Sequence, residues 1–234
     1  MTDMAGNVDV RLYVIVDPAA CAGRDPLAVA CAAVRGGATI LQLRDKHGPI
    51  ARTLALARAL LAMLQKEAPH VPLIVNDRAD IALAAEAHGL HVGQEDLPAE
   101  EARRLLGADA ILGLSLKTFE EIDAAPVDVL SYAAIGNVWP TTSKEQPTPA
   151  IGPEGLAQRI EALRRRAPAL PVVAISGVNA ENAPAAIAAG ADGVAVISAV
   201  CAAEDPEAAA RALRTAVDEA LGTHHPPARG EVRP

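Results

Sequence analysis

Eight short apolar runs recur through the 234 residues of the chain, alternating with helix-like stretches. The runs are expected as strands over 11–16, 39–43, 72–75, 89–92, 110–114, about 129–134, 171–175 and 193–197. Helices are expected over about 26–35, 50–67, 81–87, 98–106, 119–125, 154–166, 181–189 and 206–221. Asp17-Pro18 stops the first strand, Gly36-Gly37 ends the first helix, and a long loop runs through 140–153. Most runs are apolar throughout rather than alternating, which marks strands buried on both faces. Such strands interleaved with helices predict an α/β chain with a parallel sheet covered on its outer face. Eight units in this length predict a single (β/α)8 TIM barrel. A doubly wound open sheet is the runner-up and fits the unit count less well. Residues 1–10 read as a loose leader and 11–222 as the barrel. The tail, 223–234, is rich in Pro, Gly and charge and is expected to be disordered despite its adjacent His224-His225.

Composition narrows the function classes. The chain is half apolar, dominated by Ala, and carries a net charge of −8, which argues against a nucleic-acid partner. Solubility is the simpler reading of that charge. No apolar run approaches the roughly 18 residues that mark a membrane span, and the N-terminus lacks a basic region followed by an apolar one. Cys21, Cys31 and Cys201 are odd in number and have no ligand-like spacing, so they read as small buried residues in a reducing cytosol. The expectation is a cytoplasmic protein whose partners are small molecules, without nucleic acid or membrane; a homodimer is compatible with it.

In an α/β barrel the chemistry sits on the loops after the strands, at one face. There the chain places Gln42, Arg44, Asp45, Lys46 and His47; Asn76, Asp77 and Arg78; Gln94, Glu95 and Asp96; and Ser115, Lys117 and Thr118. The later loops supply Thr141, Thr142, Ser143 and Lys144, then Ser176-Gly177, then Ser198. A desolvated carboxylate is costly unless paired, so acidic residues past neighbouring strand ends suggest a hard cation held by oxygen ligands. Asp77 and Asp96 also suit helix N-caps, and spacing alone leaves both readings open. Arg44 and Lys46 face the same way if their strand continues, and both suit a polyphosphate; a solvated loop is the plainer alternative. Residues 141–144 have the composition of a phosphate-cradling turn but lack the glycines and spacing of a nucleotide P-loop. Ser176-Gly177 and Ile197-Ser198 stand where barrel enzymes bind phosphate through backbone N–H groups, although glycine equally marks a tight turn.

No serine or cysteine sits in a nucleophile elbow, and His47, His88 and His91 lack an identifiable triad partner. His91, inside a strand, reads as a packed histidine. No glycine-rich dinucleotide fingerprint follows the first strand. What remains is cationic residues and a divalent metal around a diphosphate, with a second phosphate anchored elsewhere.

Five segments in register resemble the thiamine phosphate synthase family. They are Leu41-Gln42-Leu43-Arg44-Asp45-Lys46, Val75-Asn76-Asp77, Gly89-Leu90-His91-Val92-Gly93-Gln94-Glu95-Asp96, Trp139-Pro140-Thr141-Thr142-Ser143-Lys144 and Ala191-Asp192-Gly193-Val194-Ala195-Val196-Ile197-Ser198. The resemblance, spread over about 11–220, implies a transferase. It joins a hydroxymethylpyrimidine diphosphate to a thiazole phosphate, giving thiamine monophosphate and pyrophosphate. It implies that Gln42, Arg44, Lys46, Asn76, Ser115 and Lys144 contact the pyrimidine diphosphate, with Arg44, Lys46, Ser115 and Lys144 as the catalytic set. Asp77 and Asp96 are then the magnesium (Mg2+) ligands, and Thr141, Thr142, Ser143, Gly177, Ile197 and Ser198 hold the thiazole phosphate. The chain departs from the family pattern at Lys117, commonly His, at Asn137, usually Pro, and at Ser176, the first of two glycines. Ser143 stands for a frequent Thr and keeps the hydroxyl. A thiazole tautomerase of the same superfamily, expected to use a His near position 117, and a non-catalytic precursor sensor are the alternatives.

Overall fold

In the computed structural model, which describes residues 8–141 and 149–224, the chain is a single (β/α)8 TIM barrel. Its strands are β1 Leu12–Val16, β2 Ile40–Leu43, β3 Leu73–Asn76, β4 Gly89–Val92, β5 Ile111–Leu116, β6 Tyr132–Ile135, β7 Val172–Ile175 and β8 Gly193–Val196. They pair in parallel in chain order, and β8 returns to β1 with Leu12 opposite Val194 and Tyr13 opposite Ala195.

The helices among the described residues are α1 Pro26–Arg35, α2 Ile50–Glu67, α3 Ala79–Ala85, α4 Ala99–Leu106, α5 Phe119–Ala124, α6 Gly152–Arg166, α7 Ala183–Ala188, α8 Ser198–Cys201 and α9 Pro206–His224. Local chemistry sets several of their starts. Asp25 accepts from the Leu27 N–H with Pro26 at the first helical position, and Thr118 and Glu121 form a reciprocal capping box on α5. The short α8 was not expected from the sequence: only four residues long, it carries no periodic pattern to read.

Alternation along the strands splits the core in two. Leu12, Val14 and Val16 face outward under the helices, with Leu41, Leu43 and Leu60 among their companions. Tyr13, Ile15, Ile40, Ile74, Ile111 and Tyr132 fill the barrel interior. Large and small residues interlock there: a Cβ on Gly113 would lie 2.1 Å from Tyr132 Cζ and 2.6 Å from His91 Nδ1. Gly113 is therefore the space into which the β6 tyrosine is packed.

The ends of the chain depart from expectation. Of the leader read over 1–10, Val8 and Val10 are buried against the interior cluster rather than loose. At the other end α9 runs to His224, two residues into the segment read as tail. Cys21 and Cys201 are buried as expected, but Cys31 is only half-buried; all three are free thiols. Among the described residues no helix is long and apolar enough to cross a membrane.

Leu60 on α2 is fully buried, whereas Leu83 on α3 is 44% exposed. Leu60→Ala is expected to cost about 2–5 kcal/mol through lost burial and a residual cavity. Leu83→Ala should stay within about 0.5 kcal/mol of the parent. Thermal unfolding of the pair checks which face of each helix meets the barrel; equal midpoints would contradict this packing.

Candidate active site

The described polar residues of the strand-end inventory gather on the rim formed by the C-terminal ends of the strands. Strand β2 ends at Leu43, so Arg44 and Lys46 do not continue its alternation and diverge. Arg44 turns toward the end of β1, where its Nη1 donates to Asp17 Oδ2. Asp17 is buried, and its other oxygen accepts from the Ala19 N–H, so the carboxylate is fixed from two sides. Lys46 turns toward β3 instead, with Nζ 3.0 Å from Asp77 Oδ2. The two cations thus flank the end of β2, each set by a carboxylate of a neighbouring strand.

Asp77 follows Asn76 in a left-handed conformation (φ 59°), with its N–H donating to the His91 carbonyl at 2.8 Å. That bend carries its carboxylate to Lys46 rather than onto α3, which has no side-chain cap. Asp96 Oδ2 accepts from the Gly93 N–H of its own turn at 2.8 Å, and α4 too lacks a side-chain cap. The capping reading of both residues is therefore excluded. Burial pushes the Asp77 carboxyl above its ordinary range; contact with Asp96 adds to this, and Lys46 opposes it. Two carboxylates in contact are a fit donor pair for a hard dication. Among the described residues no group of three or more His, Cys, Asp or Glu could hold a metal ion.

Gln42 and Ser115 belong to the same rim but are reached from inside the barrel. Gln42 Nε2 donates to Tyr13 Oη at 2.6 Å, and Ser115 Oγ lies 2.9 Å from His91 Nε2.

Around β6, β7 and β8 the rim changes character. Thr141, Gly177, Ile197 and Ser198 line a small pocket together with Ser176 and Ala195. Ser198 opens α8, and backbone N–H groups at a helix start suit an anion. Gly177 (φ 66°) lies so close to the β6 loop that a Cβ would stand 2.4 Å from the Pro140 carbonyl oxygen. Two of the departures from the family pattern meet here: the Asn137 N–H donates to Ser176 Oγ at 3.1 Å. A proline at 137 has no N–H to give and cannot adopt the observed φ of 63°. Thr142, Ser143 and Lys144 lie outside the described residues.

Asp17, Tyr13 and Tyr132 belong to no motif in the sequence, where Asp17 marks only a strand stop and His91 only a packed position. The tyrosines offered one signal: they are the only two in the chain, and both lie in strand-like runs.

The fold is a (β/α)8 barrel whose rim carries a charged cluster on one part and a small pocket on another. A family model for thiamine monophosphate synthase matches residues 12–200. A thiamine-phosphate synthase of Moorella thermoacetica is 47% identical over 211 residues, covering 90% of this chain and 97% of that protein. One from a Roseiflexus species is 46% identical over 210 residues, covering 90% and 86%. The thiamine phosphate pyrophosphorylase structure from Pyrococcus furiosus superposes with a TM-score of 0.79 at 34% identity, covering 92% of this chain and 98% of that one. The chain belongs to the thiamine monophosphate synthase family and is a transferase of thiamine biosynthesis. A 3-hexulose-6-phosphate synthase, at 21% identity and a TM-score of 0.62, shares the fold alone.

Gly177→Ala should cost about 1–3 kcal/mol, because it strains a left-handed residue against the Pro140 backbone. Thermal unfolding checks this; an unchanged midpoint would show that the β6 loop is not pressed against this residue.

Proposed function

We propose that the chain condenses 4-amino-2-methyl-5-hydroxymethylpyrimidine diphosphate with thiazole phosphate, and that the diphosphate departs dissociatively with magnesium assistance. The observation that carries this reading is the division of the rim. Lys46, Asp77 and Asp96 form one charged cluster, Arg44 stands on Asp17 at the end of β1, and a pocket rich in small residues lies around the ends of β7 and β8. Two phosphorylated substrates need two such places.

In this reading Arg44, Lys46, Asn76, Ser115, Gln42 and Lys144 hold the pyrimidine diphosphate. Thr141, Thr142, Ser143, Gly177, Ile197 and Ser198 hold the thiazole phosphate. Asp77 and Asp96 hold magnesium, which when bound supplies positive charge against the diphosphate oxygens. Arg44 and Lys46 stabilise the same developing charge as the methylene C–O bond breaks and its electron pair leaves with pyrophosphate. The thiazole nitrogen then forms the new C–N bond with its own lone pair. No proton moves in either step, so no general base is required, and the absence of a recognisable triad in the sequence is no obstacle. Holding the nitrogen beside the methylene carbon is the remaining task, a matter of proximity and alignment.

Purified protein given magnesium and both substrates should release thiamine monophosphate and pyrophosphate in equal amounts, and chelation should stop both. Asp77→Ala should lower kcat by about 10²-fold or more at saturating magnesium. A normal rate would remove Asp77 from the metal site, and binding of both substrates without product would favour the precursor sensor.

A further inference from the structure

A continuous chain of hydrogen bonds crosses the barrel interior. It runs from Gln42 on β2 to Tyr13 on β1 (2.6 Å), to Tyr132 on β6 (2.8 Å), to His91 on β4 (2.9 Å), and to Ser115 on β5 (2.9 Å). Tyr13 and Tyr132 are essentially inaccessible, and Gln42 is 2% exposed. The rings are held in place: the tyrosines meet edge to face at 5.6 Å, and His91 stacks on Tyr132 at the same spacing. Gly113 leaves the room in which Tyr132 Oη and His91 Nδ1 meet.

The chain has a direction. Gln42 Nε2 can only donate, so Tyr13 Oη accepts from it and passes its single proton on to Tyr132. Burial pushes both phenols well above their ordinary range, and both keep that proton. Tyr132, accepting from Tyr13, donates to His91 Nδ1. A neutral imidazole that accepts at Nδ1 carries its proton on Nε2 and donates to Ser115 Oγ. The Ser115 hydroxyl proton is left to point elsewhere. At the other end, no group among the described residues donates to Gln42 Oε1. The ends therefore offer one acceptor and one donor. Turning either end around requires every link between them to reverse.

We propose that Tyr13, Tyr132 and His91 are positioning residues that lock Gln42 as an acceptor and Ser115 as a donor toward the aminopyrimidine. This rests on the function proposed above. An aminopyrimidine presents an N–H donor beside a ring-nitrogen acceptor, the complement of that pair. Its oxo analogue presents a carbonyl acceptor beside a ring N–H, the reverse pattern. The interior chain thereby becomes a specificity device for the base, without touching it.

The test compares wild type with Tyr132→Phe, which keeps the ring and removes the central link. The variant should raise KM for the aminopyrimidine diphosphate about tenfold, the lower end of what losing a partner behind a binding group costs. KM for the thiazole phosphate should not change, and the kcat/KM preference for the amino over the oxo pyrimidine diphosphate should shrink. Tyr13→Phe, which cuts the link from Gln42 and so releases the direction of every bond beyond it, gives the same readout should Tyr132→Phe fail to fold. Nitrogen-15 NMR of the wild type should show the His91 proton on Nε2. Unchanged or equally raised KM values with intact discrimination would overturn the proposal and leave the chain as core packing. A His91 proton on Nδ1 would overturn its direction. A wild type that makes no thiamine monophosphate would instead overturn the functional reading, and this inference with it.

Discussion

Closure of β1 against β8 is the constraint on which the rest depends. With Leu12 opposite Val194 and Tyr13 opposite Ala195, no strand edge is left, and all eight strand ends share one rim. A closed barrel of this size must also be filled at close to crystal density. Tyr13 and Tyr132 supply the bulk and Gly113 supplies the room. Filling the interior with tyrosines brings polar atoms inside, where each unsatisfied one costs about 1–3 kcal/mol. Half a network would be worse than an apolar core, so packing tyrosines here requires the hydrogen bonds from Gln42 through to Ser115 to be complete, whatever else they do.

The rim follows a different logic. A protein with a net charge of −8 has no general attraction for anions, so its positive charge has to be placed locally. Arg44 is set by a buried Asp17, whereas Lys46 reaches a carboxylate across a half-exposed gap of 3.0 Å. An ion pair as open as the second adds little to stability. In the proposed function its value lies in holding the ammonium group near the diphosphate. Asp77 is in the same position: its carboxyl is pushed up by burial and by Asp96, and it is kept at the rim by a left-handed bend that favours no helix cap.

Much of this was legible in the sequence, but unevenly. Strands such as β1 and β7 are buried on both faces and read as continuous apolar runs, so the unit count and the barrel followed from pattern alone. The bounds expected for α2, 50–67, are those observed, because its long apolar stripe leaves little freedom. The rim inventory was legible for the same reason: loop residues after strands must lie there. Side-chain direction was not legible. That Arg44 and Lys46 part company depends on β2 ending at Leu43, a register fact with no local signature. The links from Tyr13 to Tyr132 and from Tyr132 to His91 span 119 and 41 residues. No spacing rule reaches that far, and only closure of the barrel makes these residues neighbours.

The wall of the second pocket shows how a departure from a family pattern can be resolved by geometry. Taken singly, Ser176 in place of glycine threatens to crowd an anion, and Asn137 in place of proline loosens a loop. In the structure each answers the other. The serine hydroxyl accepts the N–H that a proline would lack, and the Trp139 N–H donates to the Ser176 carbonyl at 3.0 Å. Beyond the undescribed stretch, the Ile151 and Gly152 N–H groups return to the Asn137 and Val138 carbonyls at 2.9 Å. The β6 loop is thus fastened to the end of β7 and to the start of α6 by backbone bonds that depend little on side-chain identity. Ser176 accepts that N–H at Oγ and keeps its hydroxyl proton to donate, so this wall presents the Ser176 O–H beside the backbone around Gly177 and the opening turn of α8. A pocket built that way tolerates exchange of its side chains as long as the backbone path is kept, and here the Asn137–Ser176 pair keeps it.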